Sequence, residues 1–410
     1  MEIGKSWLET VLKRQSFENS PTAVADFKLQ GSNIKKGQNF LSKIDRLEAT
    51  AILGSGRRKK INFIVKNQHV TKHMKQFTLE TGIFIREIMM FRDILPKMED
   101  LLEEIGDTND IPWGKCVDVS LYNRIVFEDL TASGYVVYNR MKQLGLQASL
   151  LVMKQLGKFH ALSKILLDRG EIPMDIFGHH VWAKMEERNV AIHADVLTKY
   201  DKTMESWGEE WKEARERLQK AKPKITDMYH KTMKYDPSEF FVLNHGDCQT
   251  NNLMYRFGDD SEQPNSLKFI DFQLCFVNSP ARDINYFLLL SVRQEVQLEH
   301  YDKLLQTYTD SLNYYLTQFK YEGFIPKVGD IKQMLDQRYA SSLGEAIWLV
   351  PMLLSDHEDK PDIEEMMEKY EGAEKAGEGV DENYWSSNES KINTTIMQNT
   401  IKKSMELGII

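Results

Sequence analysis

The segment from residue 239 to 276 constrains this chain more than any other. Phe240, Phe241, Val242 and Leu243 form an apolar run that gives way to the polar stretch Asn244-His245-Gly246-Asp247-Cys248-Gln249-Thr250-Asn251-Asn252. Residues 253–257 read as a second strand. Residues 258–265, rich in Asp, Ser, Pro and Asn, turn the chain, and 267–272 return as a third strand. Pairing 253–257 with 266–270 across that turn sets Asn252 opposite Asp271 at the open end, where paired strands lie about 4.8 Å apart. Asp247 sits on the preceding loop at the same end, so an amide and two carboxylates converge beyond the strand ends.

That set has a chemistry. Asn252 and Asp271 offer the hard oxygen ligands that Mg2+ takes. Asp247 is placed to orient a hydroxyl and accept its proton late in a phosphoryl transfer. Any one of these acids alone is more simply a turn cap. The combination His-Gly-Asp-x-x-x-x-Asn, followed by Asp-Phe on a returning strand, points past that plainer reading.

The chain changes character near residue 130. Before it, strand-like runs cover 26–36, 41–53, 60–67 and 124–128, the first three separated by short Gly-containing segments that suggest hairpins. Phe84, Ile88, Phe91 and Leu95 recur at helical spacing within 80–102. After residue 130, helical stretches are expected over 150–167, 181–221, 283–319 and 331–354. Residues 356–390, acidic and poor in apolar side chains, read as a loop or lid. The expected class is α+β, with a small antiparallel-sheet N-lobe over 1–130 and a large, mainly helical C-lobe over 131–410.

Composition narrows the classes. A net charge of -8 over 410 residues argues against a general nucleic-acid binder, and Arg57, Arg58, Lys59 and Lys60 read as a solvated turn. Cys116, Cys248 and Cys275 are too few and too scattered for a disulfide framework or a four-thiolate zinc site. Ile3, Trp7, Leu8, Val11 and Leu12 mark an amphipathic helix rather than a signal peptide. The richest apolar runs, near 286–292 and 347–354, are too short to span a bilayer. A cytoplasmic protein is expected.

His245-Gly246-Asp247 with Asn252 resembles the catalytic loop of the choline kinase and aminoglycoside phosphotransferase superfamily, and Asp271-Phe272-Gln273 resembles its metal-binding segment. The Asp-Phe-Gln form, Gly37-Gln38-Asn39-Phe40-Leu41-Ser42 and Val126-Phe127-Glu128-Asp129-Leu130 bring the chain closer to the insect ecdysteroid kinase-like family, over about residues 25–355. The resemblance implies a two-lobed protein-kinase-like fold, ATP and Mg2+ as cofactors, and a lipophilic alcohol as acceptor, ecdysteroids foremost. It makes Asp247 the catalytic base and Asn252 and Asp271 the metal ligands. Gly37, Asn39 and Ser42 would cover the ATP phosphates. Lys66, on an apolar strand, would hold the α/β-phosphates with Glu87 as its partner. Glu128 and Leu130 would bound the hinge that meets adenine, although the same residues also read as an acidic strand end.

Protein kinases carry Arg between the His and Asp of this loop and Gly after Asp-Phe. Here those positions are Gly246 and Gln273, and no long segment ending in Ala-Pro-Glu follows. A small-molecule acceptor is therefore expected. Two alternatives stay open: a kinase-fold binding protein without turnover, and a choline or ethanolamine kinase with a cation box drawn from Glu209, Glu210 and Trp211. Tyr286, Phe287, Tyr314, Tyr315, Trp348 and Met352 are candidates to line an acceptor pocket, or plain core. His160 and His245 read as hydrogen-bonded structural residues, Cys248 as no nucleophile, and Asp283 as a helix cap. Nothing in the sequence speaks to oligomeric state.

Overall fold

A computed structural model describes residues 3–14, 21–31, 43–68, 72–121, 123–181, 197, 200–258, 263–354 and 390–410. Gly37, Asn39, Ser42 and the segment 356–389, expected to cover phosphates and to form a lid, lie outside the described residues. After helix α1 (Lys5–Arg14) come strands β1 (Pro21–Gly31), β2 (Lys43–Leu53) and β3 (Arg58–Asn67). Helices α2 (Lys72–Thr81), α3 (Ile83–Met89) and α4 (Leu95–Glu104) follow, then strands β4 (Cys116–Ser120) and β5 (Arg124–Glu128). The five strands form one antiparallel sheet in the order β1-β2-β3-β5-β4.

Period-two alternation decides what each face of this sheet does. Leu47, Ala49 and Ala51 of β2 and Ile61, Phe63 and Val65 of β3 point to one face and pack on Trp7, Leu8, Val11 and Leu12 of α1. Lys66, one residue on, points to the opposite face, where α3 lies with Phe84 and Ile88 against Ile125. The helix expected over 80–102 is broken in two places. Gly82 adopts φ 69°, a left-handed turn that separates α2 from α3, and a π-helical turn over Met90–Ile94 joins α3 to α4. Strand β4 was missed because Asp118 and Ser120 dilute its apolar pattern.

The larger, mainly helical part begins with a two-residue strand β6 (Val136–Val137), helix α5 (Leu146–Asp168) and the short α6 (Met174–Phe177). Helix α7 (Lys212–Met233) starts later and ends later than the stretch expected over 181–221, of which 182–196 and 198–199 lie outside the described residues. Strands β7 (Val242–Asn244), β8 (Leu253–Phe257), β9 (Pro264–Phe269) and β10 (Phe276–Asn278) come next. Then follow α8 (Ala281–Ser291), α9 (Gln294–Gln318), α10 (Val328–Gln337), α11 (Tyr339–Leu353) and a C-terminal α12 (Lys391–Glu406). One core joins α4, α5, α9 and strands β7 to β9; a second lies between α7, α11 and α12, with Tyr286, Leu289 and Leu290 of α8. No helix among the described residues is long and apolar enough to cross a membrane.

The β8–β9 register differs by one residue from the pairing expected. Leu253 pairs with Phe269 and Tyr255 with Leu267, and a bulge at Arg256/Phe257 absorbs the extra residue. A slip of one residue would exchange faces and bring Lys268 opposite Tyr255. The observed register keeps Leu253, Tyr255, Leu267 and Phe269, all buried, on one face. Asn252 consequently lies beside Ile270, whose N–H donates to the Asn252 carbonyl at 3.0 Å, and Asp271 follows directly.

Helices α5 and α9 approach closely at Gly157, where a Cβ would stand 2.5 Å from the Tyr308 carbonyl oxygen and 2.9 Å from Cβ of Ser311. Alanine would gain about 1 kcal/mol of helix propensity there but forces the two helices apart, at a cost of about 1–3 kcal/mol. Gly157→Ala is expected to lower the urea midpoint at unchanged m-value; a raised midpoint would show that the helices have room to spare.

Candidate active site

Lys66 is the meeting point of the two parts of the chain. Its side chain is 5% exposed, and its Nζ lies 2.9 and 2.7 Å from the two Glu87 oxygens and 2.7 Å from Oδ1 of Asp271. β3 supplies the lysine, α3 the first acid, and the turn after β9 the second. Burial works against the charge on Lys66, but the carboxylates of Asp271 and Glu87 outweigh it and raise its pKa. Asp271 is held at φ 68°, ψ 65°, a left-handed backbone that costs a non-glycine residue energy and is found where function demands it.

Asp247 is fixed from two sides. Nδ2 of Asn252 donates to its Oδ2 at 2.7 Å and to its main-chain carbonyl at 3.0 Å, while the Tyr286 hydroxyl donates to Oδ1 at 2.7 Å. Burial raises the pKa of Asp247 and the charge of Asp271 adds to the rise, with the Tyr286 and Asn252 hydrogen bonds and His245 acting the other way. Since Nδ2 of Asn252 is committed to Asp247, its amide oxygen is the atom left for a cation.

The loop carrying Asp247 hangs on one buried carboxylate. Asp283, in the first turn of α8, accepts the His245 N–H at 2.6 Å, the Gly246 N–H at 2.9 Å and His160 Nε2 at 3.1 Å. It does not cap its own helix, as expected from sequence; Pro280 is the N-cap, and the side chain is turned to the loop instead. Burial alone would raise the Asp283 pKa, but His160, His245 and the Gly246 amide hold it below its usual value. Burial lowers the pKa of His160, against the pull of Asp283. With Nε2–H donating to Asp283, its Nδ1 accepts the Tyr308 hydroxyl at 2.8 Å. His245 is tied likewise: Nε2 donates to the Ile270 carbonyl at 3.0 Å, leaving Nδ1 for the Asp247 N–H at 3.3 Å. Gly246 adopts φ 82°, and a Cβ there would stand 2.0 Å from the Leu274 carbonyl oxygen.

The residues singled out from sequence divide clearly. Lys66, Glu87, Asp247, Asn252 and Asp271 come together. Cys248 is fully buried and burial raises its thiol pKa, so it is no nucleophile. The Glu128 N–H and carboxylate are both taken by Lys115 across the strand pair, at 3.0 and 2.7 Å, while the Leu130 N–H opens a 3-10 turn where no intrahelical acceptor exists. Phe287 belongs to the main core. Tyr315 donates to Asp107, and Tyr314 is exposed, so these three do not line the site. The Met352 side chain lies outside the described residues, and Trp348 borders the second core. Of the expected cation box, Glu209 and Glu210 are exposed and the face of Trp211 is already covered by Lys402 Nζ at 5.0 Å. Sequence reading missed the contact of Tyr286 with Asp247; the available signal was its spacing of three from Asp283, which puts both on one helical face.

A family model described as the ecdysteroid kinase-like family matches residues 36–321. The chain belongs to the ecdysteroid kinase-like family. That membership supports a small-molecule phosphotransferase, and it agrees with a fold of antiparallel sheet followed by a helical part. No curated protein matches the chain significantly. Among solved structures, the gentamicin–APH(2")-IIa complex shares 12% identity at a TM-score of 0.38, covering 99% of this chain and 97% of that one. Amicoumacin kinase hAmiN in complex with AMP-PNP, Ca2+ and Ami shares 13% at a TM-score of 0.35, covering 86% and 92%. Likeness at this level decides neither acceptor nor mechanism.

Asparagine at position 283 would present an NH2 group to one of the two loop amides. Asp283→Asn is expected to cost about 2–4 kcal/mol at neutral pH, since it strands a buried donor. A carboxylate with a lowered folded pKa stabilises above its unfolded value of about 3.9 and loses that contribution as pH falls through the folded one. The gap between wild type and variant should therefore narrow below about pH 4, read by denaturant melts; a pH-independent gap would refute this account.

Proposed function

We propose that this protein transfers the γ-phosphoryl group of ATP to a hydroxyl of a small lipophilic molecule, an ecdysteroid or a similar alcohol. The observation that carries the reading is Lys66 Nζ held between Glu87 and Asp271, with Asp247 and Asn252 hydrogen-bonded to each other on the adjoining loop. Each part of a phosphoryl-transfer site has a residue of the right type, and kinase-fold binding proteins without turnover usually lack one.

In this reading Lys66, braced by Glu87, binds the α/β-phosphates. The Leu130 N–H and the Glu128 main chain meet adenine, and Gly37, Asn39 and Ser42 cover the phosphates. The N-terminal part, to about residue 130, is the nucleotide-binding lobe, and residues 131–410 carry the catalytic loop and the acceptor. Asp271 and Asn252 supply oxygens fit for Mg2+. Among the described residues no group of three or more His, Cys, Asp or Glu forms a closed metal cage, and Mg2+ in such sites takes one or two carboxylates together with nucleotide phosphates. When bound, that ion would neutralise charge on the phosphates.

Asp247 orients the alcohol and takes its proton. The alcohol oxygen forms a bond to the γ-phosphorus, the bond from that phosphorus to the bridging oxygen breaks, and ADP leaves with the electron pair. Burial of Asp247 makes it a stronger base than an exposed carboxylate. The choline-type alternative draws no support from Trp211, whose face is already covered by a lysine.

The test is mass-spectrometric detection of product from purified protein, Mg-ATP and a panel of ecdysteroids, other sterols, plant aglycones and choline. A steroid or aglycone gaining one phosphoryl group is expected. Asp247→Asn should lower turnover at least about a hundredfold with ATP affinity nearly intact, whereas Asp271→Ala should weaken Mg-ATP binding as well. Full activity in Asp247→Asn would sink the assignment, and phosphocholine as the sole product would replace the acceptor class.

A further inference from the structure

Asp247 is held by a second side chain besides Asn252. Tyr286 donates its hydroxyl to Oδ1 of Asp247 at 2.7 Å, opposite the Asn252 amide on Oδ2. Its ring is 6% exposed and packs in the second core, beside Leu289 and Leu290 of its own helix and Leu343 and Ile347 of α11. The same helix carries Asp283, which ties down the backbone of His245 and Gly246. Helix α8 thus grips the loop twice, through its main chain and through the carboxylate of Asp247. Next to Tyr286, the buried ion pair Arg282–Glu345, at 2.5 Å, joins α8 to α11 and anchors the helix from its other neighbour.

We propose that Tyr286 is a positioning residue of the transfer: its hydroxyl holds Asp247 in one rotamer, so that the carboxylate meets an incoming alcohol already oriented. This role rests on the kinase reading. A carboxylate on a loop has free rotation about χ1 and χ2 unless both oxygens are held. Asn252 alone leaves Oδ1 to swing, and catalytic groups must stay within a few tenths of an ångström of the productive geometry. Tyr286 holds that oxygen from a rigid helix. The phenol stands where it can only donate to the carboxylate, and burial keeps it protonated.

Tyr286→Phe removes the hydroxyl and keeps the ring. Losing a hydrogen bond to a charged group is expected to lower kcat about ten- to a hundredfold, while the Kd for Mg-ATP, measured by calorimetry, stays within about twofold of wild type. A loss of fold would lower kcat and raise that Kd together, so the split separates positioning from packing. A second arm needs no turnover: the urea stabilities of wild type, Tyr286→Phe, Asp247→Ala and the double variant form a cycle. The double variant should be no less stable than Asp247→Ala alone. Additive effects would show that no such hydrogen bond exists, and wild-type kcat in Tyr286→Phe would show that the bond positions nothing. Coupled stabilities with no phosphoryl transfer by the wild type would overturn the kinase reading, and this role with it, while leaving the contact intact. Intact-mass detection of phosphate on Tyr286 itself would make it an acceptor and overturn the proposal.

Discussion

A buried ammonium must find its counter-charges within the protein, because an unpaired one costs several kcal/mol. Lys66 meets that demand with two acids from different parts of the chain, Glu87 on α3 and Asp271 after β9. The consequence is architectural. The sheet, the helix behind it and the turn that carries Asp271 are drawn to one point, and any displacement of one leaves a charge exposed to a low-dielectric interior. The stacking of Trp7 beneath Arg124 and the packing of α1 on the far face of the sheet hold β3 so that Lys66 points inward. The left-handed backbone at Asp271 is tolerable because the ion pair and the packed Phe272 hold the turn in place.

Around this point the polar groups are organised in shells that fix one another. Asp283 holds the loop amides, His160 holds Asp283, and Tyr308 on α9 holds His160. Each member is buried, and each has its partner, which is the condition for a buried network to rigidify rather than destabilise. Gly246 belongs to the same logic. With its amide pulled to Asp283 and the Leu274 carbonyl 2.0 Å from where a Cβ would be, only glycine fits between His245 and Asp247. The arginine found at that position in protein kinases would not fit this loop as it stands.

Much of the fold and part of the site could be read from residue pattern alone, for reasons that differ residue by residue. The alternation in β2 and β3 and the helical stripe of α1 are local signals, and they led to the right elements. Asp247, Asn252 and Asp271 were legible because they lie within one short stretch whose turn forces them together. The β8–β9 register was off by one because the expected pairing ignored which side chains face the core, and Lys268 would have paid for the error. Asp283 was misjudged because a first-turn acid usually serves its own helix, whereas here the loop brings amides from elsewhere in the sequence. The Tyr286 contact and the Arg282–Glu345 pair join residues on different elements, and a pattern along one chain carries no trace of such distances. The aromatic residues on α9 stay open between pocket lining and plain core in the sequence for the converse reason: spacing reveals a face, not what the face meets.

Arg86, next to Glu87, shows how the lysine pair is kept formed. Its side chain is buried, and its Nη1 donates to the main-chain carbonyls of Cys275 at 2.5 Å and His179 at 3.2 Å, with the guanidinium 5.6 Å from the Phe177 ring. Cys275 lies four residues after Asp271, so the helix that bears Glu87 is tied by its neighbouring residue to the segment that bears the other acid. In protein kinases the corresponding helix must be brought into place before its glutamate meets the lysine, and phosphorylation of the activation loop controls that step. In this chain the anchor is a set of hydrogen bonds from a buried cation to carbonyls, made within the fold itself. Separating α3 from the segment after Asp271 would take the Cys275 carbonyl from the Arg86 guanidinium and one of its acids from the Lys66 ammonium at the same time. Two buried charges then oppose the motion, and the assembled arrangement of Lys66, Glu87 and Asp271 is the one the fold itself favours.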